Sequence, residues 1–205
     1  MTRAVRAWRA LTPMAIMAAI TANLITDIRG GDFVFVDYFG YFTNQTNLIA
    51  AAVLIVALRY TARDRPVWLE LARASAVVYL AIVVSVYWFL LWPTIDDVAN
   101  PWANAIIHGV SGAVVLVDWL LEGPRRPLSW RWAWAPALYP LAWLAVVMVR
   151  GATDGWVPYP FLDPGDGYGP VVVVLVGMIA AGVAAAAVLF QATRWRPTAP
   201  PATAA

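Results

Sequence analysis

Two groups of polar residues stand in segments that are otherwise strongly apolar, and their side chains are of types that can perform acyl chemistry. The first group lies in the stretch YFTNQTN at residues 41–47, and the second in NAIIHGVS at residues 104–111. In a helix, residues three or four positions apart share a face. The residues that share a face in this way are Thr43, Thr46 and Asn47 in the first group and Asn104, His108 and Ser111 in the second.

A threonine hydroxyl beside a neutral imidazole can act as a nucleophile, because the imidazole accepts the hydroxyl proton as the oxygen attacks an acyl carbon. We therefore predict Thr43 as a nucleophile and His108 as its base, if their helices bring them together. The amides that could donate hydrogen bonds to the oxyanion are Asn44, Gln45, Asn47 and Asn104. The neighbours that could orient His108 are Asn104 and Ser111. The alternative is structural, since polar side chains also hydrogen-bond helices to one another within a bundle.

A loop rich in glycine and proline, RGATDGWVPYPFLDPGDGYGP at residues 150–170, contains three aromatic residues that could cover a cavity. Its composition is incompatible with regular helix. We predict that Trp156, Tyr159 and Phe161 form a lid, and the alternative is an aromatic belt at the level of the lipid head groups.

Asp118 is ten residues from His108, which on a helix is ~15 Å along the axis, so it cannot orient that imidazole directly. We predict an ion pair with Arg125, Arg126 or Arg59 rather than a part in a proton relay.

Six uncharged runs, each near the ~20 residues that span a bilayer, must position these side chains. They cover residues 10–26, 38–58, 74–95, 98–117, 132–149 and 167–193 in a chain that is 62% hydrophobic and 13% charged. The sequence thus predicts an all-α integral membrane protein, a six-transmembrane-helix bundle that occupies residues 1–196 as one domain. The Pro/Ala-rich tail at 197–205 is predicted to be disordered.

The arginines lie in alternate loops except for Arg29 and Arg150, and the opposite loops collect aspartates. Because cationic loops stay on the cytoplasmic side, this pattern predicts that both termini are cytoplasmic. Thr43 then lies ~24 Å from the inner surface and His108 in the outer half of the membrane, at similar depths. The basic residues serve topology rather than a nucleic-acid surface, so nucleic acid is not expected as a partner.

The residue types that the chain lacks exclude most cofactors within a monomer. There is no Lys for a retinal or pyridoxal Schiff base, no Cys, and a single His. These absences exclude a bis-histidine haem, a thiolate site and an ordinary zinc site. We predict neither a cofactor nor a metal.

The order of these features resembles the androgen-induced-gene (FAR-17a-like) membrane proteins and their bacterial relatives. The resemblance extends over the second to sixth spans: an aromatic residue followed by Phe42-Thr43, Trp102-x-Asn104-x-x-x-His108, Asp118 ten residues later, and Trp156 followed by Tyr159-Pro160-Phe161-Leu162. The resemblance implies a six-helix, multi-pass protein of the bacterial plasma membrane. It also implies a threonine hydrolase of lipid (fatty-acyl) esters, with Thr43 and His108 as the catalytic pair and membrane lipids as partners and substrates.

The stretch TNQTN is more polar than the family pattern, so Thr46 is a second candidate nucleophile. A non-catalytic protein that binds lipid, holds helices together or transports a solute is the alternative function. The chain shows no evident internal repeat of the kind common in transporters.

Overall fold

The computed structural model describes residues 2–31, 33–61, 63–95, 97–124, 127–165 and 167–195. The regular structure of these residues is entirely helical. The helices are α1 (Thr2–Gly30), α2 (Phe35–Tyr38), α3 (Phe42–Arg59), α4 (Val67–Val86), α5 (Pro101–Ala105), α6 (Ser111–Leu121), α7 (Ala135–Thr153) and α8 (Tyr168–Trp195). The tail at 197–205, predicted to be disordered, lies outside the described residues.

Short helical segments of other types extend or join these helices. A π-helical segment, Tyr87–Leu91, continues α4, and a second one, Ile106–Val110, joins α5 to α6. The 3₁₀ segments are Trp92–Thr94, Trp130–Trp132 and Pro160–Leu162. Such π turns are rare and occur frequently at functional sites.

Six helical stretches of the described chain are long and apolar enough to cross a membrane, which confirms the predicted number of spans. They are Arg3–Gly30, Phe42–Arg59, Val67–Thr94, Pro101–Leu121, Trp130–Thr153 and Tyr168–Trp195. Large apolar side chains face outward as well as inward, and Phe89 and Val173 are 78% and 73% exposed. A surface of this kind suits lipid better than water.

Helix α4 is the centre of the bundle. It packs against α3, α6, α7 and α8, while α1 packs against α3 and α5. Helices α7 and α8 both lie on α4 but make few contacts with each other. A groove therefore remains between α7 and α8, with α4 as its base.

Asp118, at the far end of α6 from α5, belongs to a buried cluster of charges. The Asp118 cluster consists of three arginines and three carboxylates: Arg9, Arg65, Arg73, Glu70, Asp118 and Glu122. Asp118 accepts hydrogen bonds of 2.6 Å from both Arg9 Nε and Arg73 Nη2, and one of 2.8 Å from Trp8 Nε1. Paired, hydrogen-bonded charges of this kind are tolerated inside proteins.

Asp118 is therefore in an ion pair, as predicted, and its described partners are Arg9 and Arg73. Of the predicted partners, Arg59 is exposed and is not one of them, and Arg125 and Arg126 lie outside the described residues. Arg9 and Arg73 stand outside the uncharged runs of the sequence, but they lie within α1 and α4. Arginine can lie in a span when a carboxylate on another helix neutralises it, and this is why α1 begins eight residues before the uncharged run at residue 10.

Candidate functional site

The first turn of α3 is polar because its side chains bind the backbone of the preceding segment. The amide nitrogens of Asn44 and Gln45 each donate a 2.7 Å hydrogen bond, to the carbonyl oxygens of Tyr38 and Phe39. Without water, the carbonyls of the short α2 segment need such partners. The predicted role of Asn44 and Gln45 as oxyanion donors stays a prediction, and the structure gives both amides a structural role.

Asn47 brings α3 and the second π segment together. Its Nδ2 atom lies 2.9 Å from the Thr43 carbonyl oxygen and 2.9 Å from that of Ile107. The two carbonyls are thus within ~6 Å of each other, and the residue after Ile107 is His108. The structure therefore places the Thr43 turn beside the His108 segment, as the matching depths in the sequence predicted.

The hydroxyl of Thr46, the second candidate nucleophile, is engaged by its own helix. Thr46 is fully buried, and its Oγ1 atom donates a 2.7 Å hydrogen bond to the Phe42 carbonyl oxygen. Back-bonding of this kind is a common arrangement for threonine within a helix. Thr46 does not line the groove between α7 and α8.

Thr43, in contrast, lines that groove and hydrogen-bonds Tyr159. The Thr43 amide donates a 3.4 Å hydrogen bond to the Tyr159 phenol oxygen. Burial raises the pKa of Tyr159 to about 12, so the phenol is protonated at neutral pH. A buried phenol next to a candidate nucleophile can donate a hydrogen bond to an oxygen that gains negative charge.

The groove has about 1210 Å³ of space, its open side included. Its lining is apolar except near Thr43, and it comes from the start of α3, from α4 and the π segment that continues it, from the chain before α7, and from α7, α8 and the 150–170 loop. At the Thr43 end the lining residues include Phe42, Thr43, Tyr87, Leu91, Tyr159 and Phe161, and at the opposite end Trp130, Ala133, Ala137 and Ala187. Concave apolar sites with a few polar groups at one place are typical of ligand pockets.

His108 lies behind the wall of this groove. Its ring stacks on that of Tyr87, with the centroids 3.8 Å apart, and Tyr87 rather than His108 lines the groove. The His108 Nδ1 atom is 3.3 Å from the backbone oxygen of Asn104, and the Asn104 side chain donates a hydrogen bond to the Tyr87 hydroxyl. Among the described contacts, Tyr159 is bonded by the Thr43 amide, and none joins the Thr43 hydroxyl to His108.

The predicted orienting groups of His108 therefore differ in their contacts. Asn104 acts through its backbone carbonyl. The hydroxyl of Ser111 is fully buried and has no hydrogen-bond partner among the described atoms. Each of the two π segments contributes one ring to the stack, and Trp88 in the first donates a 3.1 Å hydrogen bond to the His108 carbonyl in the second.

The 150–170 loop packs over the first turn of α3, where a lid was predicted. Gly40 makes this possible: a Cβ atom there would lie 2.6 Å from Cη2 of Trp156. Arg150 holds the other face of the Trp156 ring, 4.2 Å from its centroid. Tyr159 and Phe161 stack with their rings 5.3 Å apart, and both line the groove.

Sequence reasoning missed three contributors to the site, Tyr87, Gly40 and Trp130. Tyr87 was unremarkable within an apolar run, although the tyrosine hydroxyl indicates a need for a partner. Gly40, directly before the polar stretch, was the one available signal of a close approach. Trp130 was read only as part of a short loop.

The chain matches no known protein-family profile, no curated protein and no solved structure. The family resemblance and the catalytic roles of Thr43 and His108 accordingly stay predictions.

Proposed function

We propose that this protein is an intramembrane hydrolase that cleaves the acyl ester of a membrane lipid, with Thr43 as the nucleophile. One observation carries the proposal: the Thr43 side chain lies at the polar end of a groove that is otherwise apolar. An acyl chain that lies in this groove brings its ester group to Thr43.

The reaction has two steps. The Thr43 oxygen attacks the ester carbon, its proton passes to His108, and the tetrahedral oxyanion collapses to an acyl-threonine while the departing alcohol takes the proton back. Water then attacks the acyl-threonine and gives a proton to His108; the bond to the Thr43 oxygen breaks, this oxygen takes the proton back from His108, and the fatty acid leaves. Tyr159, protonated and hydrogen-bonded at Thr43, is placed to donate a hydrogen bond to the oxyanion.

For His108 to act as base, the Tyr87 ring must turn aside when the substrate binds, because this ring stacks on the imidazole. Catalytic hydrogen bonds often form only in the complex with substrate. The proximity of the Thr43 turn to Ile107 through Asn47 supports this step, since it brings the two backbones together.

The arginine distribution supports a membrane orientation with both termini cytoplasmic and Thr43 in the outer leaflet. The proposal agrees with the resemblance to the androgen-induced-gene proteins, and it places the enzyme in a bacterial plasma membrane without a cofactor.

Labelling of the full-length protein in detergent with a long-chain alkyl fluorophosphonate tests the proposal. Wild type and Thr43→Ser should be labelled, Thr43→Val should not, and His108→Ala should be slowed by at least about a hundredfold. Thr46→Val is the matched control, because its hydroxyl is committed to the Phe42 carbonyl, and it should keep its label. A folded wild type without label, or a fully labelled Thr43→Val variant, would refute the assignment.

A second function, lipid binding without hydrolysis, is favoured by the position of His108, which lies behind the Tyr87 ring and does not line the groove that Thr43 lines. In that case Thr43→Val and His108→Ala bind lipid as the wild type does, and no variant hydrolyses an ester.

A further inference from the structure

The groove has a definite length along the helix axes. On α7 its lining extends from Pro136 to Leu144, and on α8 from Leu175 to Ala187. At the helical rise per residue these stretches are ~12 Å and ~18 Å long. One leaflet of a bilayer has a hydrocarbon thickness of ~15 Å, half of the ~30 Å core. The groove therefore matches one acyl chain in length.

The end away from Thr43 is lined by Trp130. The Trp130 ring lies 5.8 Å from the ring of Phe190, which is fully buried, and the Arg194 guanidinium lies 5.1 Å from the Trp130 centroid. The chain next to Trp130 is also attached to α8, since the Leu128 amide donates a 3.2 Å hydrogen bond to Thr193. These contacts hold the Trp130 ring, which is 46% exposed, against α8, where it forms the wall at this end of the groove.

Small residues leave the groove open up to this wall. Ala133 and Ala137 line it from one side, and Gly182, Ala186 and Ala187 line it from α8. A Cβ atom at Gly182 would meet only Ile82, at an ordinary 3.5 Å. A larger side chain at one of these positions would extend into the empty space of the groove.

The groove also opens sideways between α7 and α8. Leu141 and Val183 line it and are nevertheless 49% and 57% exposed. The two helices hardly touch each other. A chain can therefore enter from the surface of the bundle without passing through the 150–170 loop.

We propose that the groove holds one long acyl chain, of the palmitoyl class, which enters between α7 and α8 and whose length is limited by Trp130. The position of the ester at Thr43 rests on the proposed function, whereas the binding of the chain does not. The substrate class that follows is a lipid ester with a single long, unbranched acyl chain near the reacting carbon.

Binding is measured first, in the full-length Thr43→Val variant, which cannot turn over its ligand. A palmitic acid with a diazirine at its methyl end is photolysed with the protein in nanodiscs, and the labelled peptides are identified by mass spectrometry. Label on the Trp130–Ala137 stretch, displaced by excess palmitate, is expected. Label spread over the outer faces of all helices would overturn the inference, whatever the protein hydrolyses.

Chain-length preference is measured next, as the ratio of rates on palmitoyl and octanoyl esters. Ala137→Leu should lower this ratio at least about tenfold, because it fills the groove short of the wall. Trp130→Ala should shift the preference toward longer chains. These opposite shifts cannot arise from partial unfolding. The control is Ala184→Leu, since Ala184 is exposed on α8 away from the groove, and it should leave the ratio unchanged.

The outcomes separate the two proposals. Label at Trp130 without hydrolysis of any ester supports the acyl-chain groove and refutes the hydrolase. The opposite result is hydrolysis at Thr43 with the same ratio of palmitoyl to octanoyl rates in wild type, Ala137→Leu and Trp130→Ala. That result supports the hydrolase and refutes the groove as the site that selects the acyl-chain length.

Discussion

Replacing Asp118 with Asn should destabilise the protein strongly. Asp118 is 2% exposed and directly faces two arginines, Arg9 at 0% and Arg73 at 2% exposure. The substitution removes the charge but keeps the shape, so the cluster changes from three positive and three negative groups to three and two. Breaking a buried pair by removing one partner typically costs about 3–5 kcal/mol, because a buried charge is left uncompensated.

For a chain of this size that loss corresponds to a fall of about 10 °C in the unfolding midpoint. The assay is thermal unfolding in detergent, followed by the fluorescence of the 12 tryptophans. The control is Asp154→Asn: Asp154 also pairs with an arginine, at 2.8 Å, but at an open site, and the midpoint should hardly change.

A double variant tests whether charge balance is the cause. Arg9→Met combined with Asp118→Asn leaves two arginines and two carboxylates, so it should regain at least half of the stability lost by Asp118→Asn alone. If the single variant loses less than about 1 kcal/mol, or if the second substitution only adds to the loss, the charges are not coupled and the reasoning is refuted.

Three further predictions concern the Thr43 end. Burial raises the pKa of Tyr159 from 10.0 to about 12, so between these pH values the folded state keeps a proton that the unfolded state loses. The free energy of unfolding should therefore fall as the pH rises from 10 to 12. Unfolding measured as a function of pH checks this, and the fall should be less steep in Tyr159→Phe. Gly40→Ala should displace Trp156, lower the free energy of unfolding by about 1–3 kcal/mol and shift the tryptophan fluorescence spectrum. Gly151→Ala, where the nearest neighbour of an added Cβ atom is at 3.6 Å, should have neither effect. Equal effects of the two substitutions would contradict the close approach of Trp156 to Gly40. Asn47→Leu should cost about 1–3 kcal/mol in the same unfolding assay, because the Ile107 carbonyl loses this donor while the Thr43 carbonyl keeps the one from Thr46. An unchanged midpoint would show that the Ile107 carbonyl does not depend on Asn47.

The helical spans could be predicted because lipid leaves the backbone no other choice. An uncharged run of sufficient length must satisfy its own hydrogen bonds, and this requirement is local. The ends of α1 and α4 could not be predicted in the same way. Arg9 lies inside a span because of a carboxylate 109 residues away, a partner that local composition does not show.

The sequence was enough to identify the polar residues of the candidate site, but not the contacts that these residues make. The helical spacing predicted that the Thr43 turn and the His108 segment lie close together, and in the structure Asn47 bonds the backbones of both. It did not reveal that Tyr159, 116 residues after Thr43, hydrogen-bonds to it. Nor did it reveal the π turn at Ile106–Val110, because no local sequence signal distinguishes such a turn from ordinary helix.

The lateral opening between α7 and α8 has a kinetic consequence. In a bilayer, a groove open to lipid along its side is always in contact with hydrocarbon chains, so a substrate must exchange with a host lipid already there. Every unreactive lipid of suitable length is then a competitive inhibitor. The apparent affinity of such a site depends on the mole fraction of substrate in the membrane and on the chain length of the host lipid, and not on the amount of substrate per volume of water.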